Sequence, residues 1–313
     1  MATKPKGPIL PRNIEDPTGV DRLERGAMLR YKEKLSRIGR EYPALIQRLN
    51  PQLAVNARYT YELDEATLNY ILSQGNLLID EILLDGGQQS PWLYEKYVSV
   101  AYQRGTGQEF ANLSAQSPAY AAEVESLREL INSEPYRLRI GLVKSRVFEE
   151  MKGLSATVKA DMARVLTDGI ARGLNPSEVA RALKVRARLE EYRANRIART
   201  EITTALRRAR WDESESAQER FGLKTMLLHL SALSATTRIK HALRHAHTYT
   251  IAAVREFYSQ GSESINCKCT QISVLVDDDG NPINETIIER AQKMFNKSKF
   301  AKFATNKKCS CCH

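Results

Sequence analysis

Apolar positions recur every three to four residues through most of the first 220 positions, and the period shortens afterwards. Leu23, Met28, Leu29, Leu35 and Ile38 mark a helix from Val20 that breaks near Pro43. Asp64 is placed to cap a helix over 67–84, closed by Gly86 and Gly87. Ser90 and Pro91 open another carrying Trp92, Tyr94, Tyr97, Val98 and Tyr102, because proline at a first helical turn lacks only an orphan donor. Helical spacing continues over 123–131, 138–151 and 155–170, with breaks at Pro118 and Pro135. Gly173 then marks a stop, Asn175 before Pro176 a cap, and 177–183 a short helix. A longer helix spans about 188–221 and ends at Gly222.

Beyond Gly222, residues 224–231 and 269–276 read as short strands. Asp279-Gly280 signals a tight turn, and 285–295 a final helix before a lysine-rich tail. These elements predict a mainly α chain of α+β class: an elongated helical N-terminal body followed by a small mixed α/β C-terminal module with short strands. Four prolines and one glycine without periodicity make 1–18 an extended arm. The body covers 19–150, the module 151–276, and a C-terminal helix with a basic Cys/His tail 277–313.

Composition fits an ordinary folded protein, with 42% hydrophobic and 27% charged residues among 313. No apolar run is long enough to span a bilayer, and the first residues lack the apolar core of a secretory signal, so synthesis in a cytoplasm is the expectation. The net charge of +10 is uneven. Residues 181–210 hold ten Lys/Arg against three Glu, and 290–313 hold seven Lys/Arg and no acid. Either these are solvated faces and a basic tail, or they meet phosphate on DNA or an acidic protein wall.

All five His and all five Cys lie in the last 85 residues. His241 and His245 share one face if the segment is helical, and Cys267 and Cys269 share one face if theirs is a strand. Two imidazoles and two thiolates are a set that zinc accepts tetrahedrally, so a structural zinc is one reading; Cys and His packed in a small core is the other. His229 and His247 are spare candidates without a pattern. Cys309, Cys311, Cys312 and His313 form a second cluster in the tail, read as incidental thiols or as a weak metal or cross-linking site.

Along the helix after Arg188, Ala194, Ala198, Ile202, Ala205 and Ala209 make a narrow apolar stripe, and Glu201 falls on its inward side. A carboxylate there needs a partner, which favours a buried ion pair over a general acid or base. Gly-rich phosphate loops, Gly-x-Ser-x-Gly elbows and His-Glu-x-x-His pairs are absent from the sequence, so enzymatic activity has no positive support.

Four pieces in order carry a resemblance: 173–183, Ile197-Ala-Arg-Thr-Glu201, Arg238 with His241 and His245, and Ile265-Asn-Cys-Lys-Cys269. Over roughly 150–276 the chain resembles the phage Mu F-like head morphogenesis family. It departs from the family pattern at Ser234 and Thr236, where Asp and Arg are usual, at His229 in place of an aromatic residue, and at Lys268 between the cysteines. The resemblance implies a minor head (minor capsid) protein of a bacteriophage virion, made in the host cytoplasm. Its implied partners are the portal protein, the major capsid protein and packaged double-stranded DNA, with a homo-oligomer around the portal vertex and no membrane. It implies a role in head morphogenesis and in genome packaging or ejection; a basic DNA-binding protein carried in the head is the alternative. From the residues themselves, apart from the resemblance, a polar network of Arg199, Glu201 and Arg238 would brace the module, and a zinc on His241, His245, Cys267 and Cys269 would be structural.

Overall fold

The computed structural model describes residues 6–54, 58–124 and 126–304; the Cys309–His313 cluster lies outside these. The chain is mainly helical with small antiparallel sheets, and it divides into two compact units. One comprises Met1–Leu23, Val98–Ile140 and Arg199–His313; the other comprises Glu24–Tyr97 and Gly141–Ala198. Each unit therefore draws on both sides of position 150.

The second unit holds most of α1 (Asp21–Glu41), a tight 3-10 segment Tyr42–Leu49, the hairpin β1 (Gln52–Leu53) and β2 (Tyr59–Thr60), and α2 (Glu65–Leu83). Asp64 caps α2 by accepting the Thr67 amide, as its position predicts. Buried Lys34 donates to the Ile82 carbonyl at 2.6 Å and to Asp85 at 3.1 Å, beneath Trp92, whose indole donates to Leu83 O. Burial lowers the Lys34 pKa, but these two acceptors answer its ammonium.

The helix α6 (Glu134–Ala171) is continuous, where the sequence suggests two helices. Gly153 lies inside it with open space around its Cα, and a single interior glycine weakens a helix by only about 1 kcal/mol without ending it. Gly173, at φ +62°, does end the run. Then α7 (Pro176–Leu189) starts with a full capping box between Asn175 and Glu178. The next helix, α8 (Glu191–Phe221), is contributed to the second unit up to Ala198 and to the first from Arg199. Its stripe is buried as predicted, with Ala194, Ala198 and Ile202 at 0% exposure.

The first unit contains the three-stranded sheet. The strands β3 (Thr225–Leu230), β4 (Thr248–Tyr249) and β5 (Thr270–Leu275) pair antiparallel in the order β4-β3-β5. Leu228, Leu230, Ile272 and Val274 pack with Ile287 and Ala291 of the C-terminal helix α11 (Glu285–Asn296). Leu227 belongs to a second cluster with Trp211 of α8, Cys267, Cys269, and Val254 and Tyr258 of α10 (Ile251–Ser259). The sequence pattern missed α10 and β4, which are short and lie between irregular loops.

The outer edge of β5 is finished by side chains of the helix α3 (Ser99–Gln116), which the short helices α4 (Pro118–Glu123) and α5 (Leu127–Asn132) follow in the chain. Glu109, Asn112 and Gln116 occupy one helix face at i, i+3 and i+7. Ser273 N–H donates to Glu109 at 3.0 Å, and Ser273 O accepts from Asn112 at 2.8 Å and Gln116 at 2.9 Å. Leu275 N–H donates to Gln116, and Arg210 of α8 donates to Gln271 O. Backbone groups that a further strand would pair are thus satisfied. The N-terminal arm is fastened to the same helix: Lys6 N–H donates to Ala115 O and Ile9 N–H to Asn112.

Candidate functional site

Four segments of the first unit meet beside the buried end of the sheet. The inward strand β3 carries His229, fully buried. A one-turn helix, α9 (Ile239–Leu243), carries His241. The approach to β5 carries Cys267 and Cys269, and α8 carries Thr200 and Arg207. Asn266 enters this approach in the left-handed region at φ 52°, with its N–H donating to Thr200 Oγ1 at 3.1 Å. That reversal places the two cysteines at the head of the strand, both buried.

His241 is held at both nitrogens. Its Nε2 stands 2.7 Å from Glu263 Oε2, and its Nδ1 faces two sulfurs, Cys267 Sγ at 3.4 Å and Cys269 Sγ at 3.7 Å. Burial opposes charge on Glu263, but Lys240 and His241 outweigh it and hold the carboxyl below its usual range. A ring nitrogen of His229, one of His241 and the Cys269 sulfur all lie within 4.8 Å of one another.

Arg207 closes the inner side. It is fully buried, donates to the Cys267 carbonyl at 2.8 Å and to Thr204, and lies over the Tyr258 ring. Tyr258 Oη stands 3.6 Å from Cys267 Sγ. Burial disfavours a Cys267 thiolate, yet the hydrogen bond from Cys269 and the charges of Arg207 and His241 bring its pKa well below the ordinary thiol value. The same hydrogen bond, with burial, pushes Cys269 well above it.

A cavity of about 310 Å³ opens onto these residues. His241, Cys267 and Cys269 line it, with Arg199, Arg238 and Lys268 around them. Arg238 donates to the carbonyls of Ser262, Glu263 and Ile265, and so ties down the loop that supplies Glu263. Lys268 pairs with Asp21 at 2.6 Å.

The structure brings together His241, Cys267 and Cys269 of the set read from the sequence, and it separates His245. The helix α9 ends at Leu243, so the four-residue spacing does not put both histidines on one helical face. His245 Nδ1 accepts the Ser231 amide at 3.0 Å and Nε2 stands 3.1 Å from the Ala291 carbonyl. Burial lowers its pKa to about 4. It is a neutral ring bracing α11, and His229 takes the place beside the cluster. Glu201 is buried at 4% exposure, on the inward side of α8, and Arg199 borders the cavity. Arg238 works through loop carbonyls, as described. Glu263, Arg207 and Gln271 carried no sequence signal, since only the fold gathers them.

Of the basic residues in 181–210, Arg207 and Arg210 are buried and Arg186 pairs with Asp161 and Glu190, while Arg181, Lys184, Arg188 and Arg208 stay exposed. Among the described residues, no helix is long and apolar enough to cross a membrane.

No curated protein and no solved structure matches the chain. The family model described as Phage Mu protein F like protein matches residues 160–272, a stretch that runs from within α6 to β5 and includes His229, His241, Cys267 and Cys269. Over residues 160–272 this chain is similar to the Phage Mu protein F like family.

Proposed function

We propose that this protein is a minor head protein of a bacteriophage particle, associated with the portal and major capsid proteins and acting in head morphogenesis and in genome packaging or ejection. The family match over residues 160–272 carries the reading. The interior of the first unit agrees with a scaffold part: buried polar groups of α3 and α8 are committed to backbone atoms of β5, which rigidifies the module. Deleting the coding sequence from its phage or prophage and analysing purified heads by mass spectrometry and electron microscopy tests it. Peptides of this chain in wild-type heads, with loss of infectious particles on deletion, are expected. Heads that lack the chain and a deletion that leaves titre unchanged would refute it.

A second reading, binding of double-stranded DNA, rests on exposed Arg181, Lys184, Arg188 and Arg208 and on the basic C-terminal segment. It has less charge to draw on than the sequence suggests, because Arg186, Arg207 and Arg210 are engaged within the fold. Gel retention that weakens steeply with salt, and on truncation after Glu289, distinguishes it.

A further inference from the structure

We propose that His241, Cys267 and Cys269 form a three-ligand zinc site whose fourth coordination position opens into the cavity of about 310 Å³ and takes water or a small anion. Neither the family match nor the proposed role in the particle supplies this site, and it stands apart from both.

The first argument is distance. A zinc ion at ordinary Zn–S and Zn–N lengths holds a sulfur and a nitrogen about 3.5 Å apart in a tetrahedral shell. His241 Nδ1 lies 3.4 Å from one sulfur and 3.7 Å from the other. The second is orientation. His241 presents Nδ1 to the sulfurs because Nε2 stands against the Glu263 carboxylate at 2.7 Å. A carboxylate behind a ligating imidazole fixes its tautomer and ring angle, and is the usual outer partner of zinc-bound histidine. Glu263 is a positioning residue here.

The third argument decides between a closed and an open shell. His229 is the obvious fourth ligand by proximity, but its hydrogen bonds deny it a free lone pair. Trp211 Nε1 can only donate, and it donates to Gln271 Oε1 at 2.9 Å. The Gln271 amide nitrogen therefore faces Tyr258 Oη at 3.2 Å and His229 Nδ1 at 3.0 Å. Nδ1 of His229 accepts, so the neutral ring keeps its proton on Nε2, which is buried without a hydrogen-bond partner. Neither nitrogen is left to bind a cation. The cavity wall agrees, since it includes all three proposed ligands and omits His229. Three protein ligands with an exchangeable fourth position are the pattern of reactive zinc sites, and closed four-ligand shells that of structural ones. Arg238 lines the cavity and donates to neutral backbone carbonyls, so its positive charge there favours an anionic occupant.

The test uses the full chain, stripped with chelator and reloaded. One zinc per chain is expected, and the cobalt(II) form should show thiolate charge-transfer absorption with the intense visible bands of tetrahedral cobalt. Azide should shift those visible bands without releasing the metal, because it enters the open position. His241→Gln, Cys267→Ser and Cys269→Ser should each weaken zinc at least 100-fold, and Glu263→Gln 10- to 100-fold. His229→Gln should change zinc affinity by less than threefold; circular dichroism confirms that each variant folds. A wild-type chain that binds no zinc at micromolar concentration overturns the site. Bands indifferent to azide, or a folded His229→Gln chain that loses zinc as fully as His241→Gln, overturn the open position.

Discussion

Glu109 Oε1 accepts the amide hydrogen of Ser273 at 3.0 Å, joining a helix to a strand 164 residues away. The same carboxylate accepts from Asn112 and lies 4.0 Å from the Arg210 guanidinium, with every partner buried. Glu109→Ala would leave the Ser273 N–H without its acceptor and the buried Arg210 guanidinium without its nearby counter-charge. A stranded buried donor is worth about 1–3 kcal/mol and an uncompensated buried charge more. We expect a loss of roughly 3 kcal/mol or more in denaturant unfolding; a loss under about 1 kcal/mol would show the edge is held by something else.

Two glycines in helices should respond oppositely to alanine. At Gly105 a Cβ would strike the Leu206 carbonyl oxygen and come within 2.9 Å of the Ala209 Cβ, so Gly105→Ala should destabilise by about 1–3 kcal/mol. At Gly141, in α6, nothing lies within 4 Å, and Gly141→Ala should stabilise by about 0.5–1 kcal/mol. Thermal melts of both variants provide the comparison; shifts of the same sign would contradict it.

Burial raises the Glu213 pKa to about 7, against 4.5 when solvated, despite the hydrogen bond from Tyr120 Oη at 2.5 Å and the opposing charges of Arg139 and Arg220. Nearby Glu109 pushes in the same direction as burial. Because the folded state holds this proton more tightly than the unfolded state, stability from this group is full below pH 4.5. It declines as pH rises towards about 7, then levels off. Glu213→Gln removes the titration and keeps an acceptor for Tyr120. Relative to the parent, the variant should gain stability between pH 5 and pH 8, by up to about 3 kcal/mol. Parallel pH profiles for the two proteins would rule this out.

Asn175 accepts the Ser177 amide at 2.8 Å, and Glu178 reaches back to the Asn175 N–H at 3.3 Å. Asn175→Ala should lower stability by about 1 kcal/mol, and Asn175→Asp should preserve it. Equal melting temperatures for Asn175→Ala and the parent would remove the cap from the account.

Local features were readable from the chain. Asp64 and Asn175 cap as their neighbours imply, and Gly173 and Gly222 take positive φ where helices end, because each acts within one turn. The inward placement of Glu201 followed from helix periodicity alone. The cluster was only half readable. His241, Cys267 and Cys269 were indicated by spacing, but α9 is one turn long, so the helical argument extended wrongly to His245. Glu263, Arg207 and Gln271 sit on three different elements, and their roles depend on hydrogen bonds across 22, 60 and 42 positions. No periodicity encodes such pairings. The split of α8 between the units, at Arg199, likewise has no mark in a helix pattern that runs on without interruption.

The side chains of α3 that complete β5 bear on how this chain can be cut. A recombinant fragment limited to residues 151–276 keeps β5 whole and discards Glu109, Asn112 and Gln116. Its outer strand would then present bare amides and carbonyls, a template on which another copy can add a strand. Such a fragment should self-associate through this edge more readily than the intact polypeptide, and soluble preparations of the module need residues from about 98 onward.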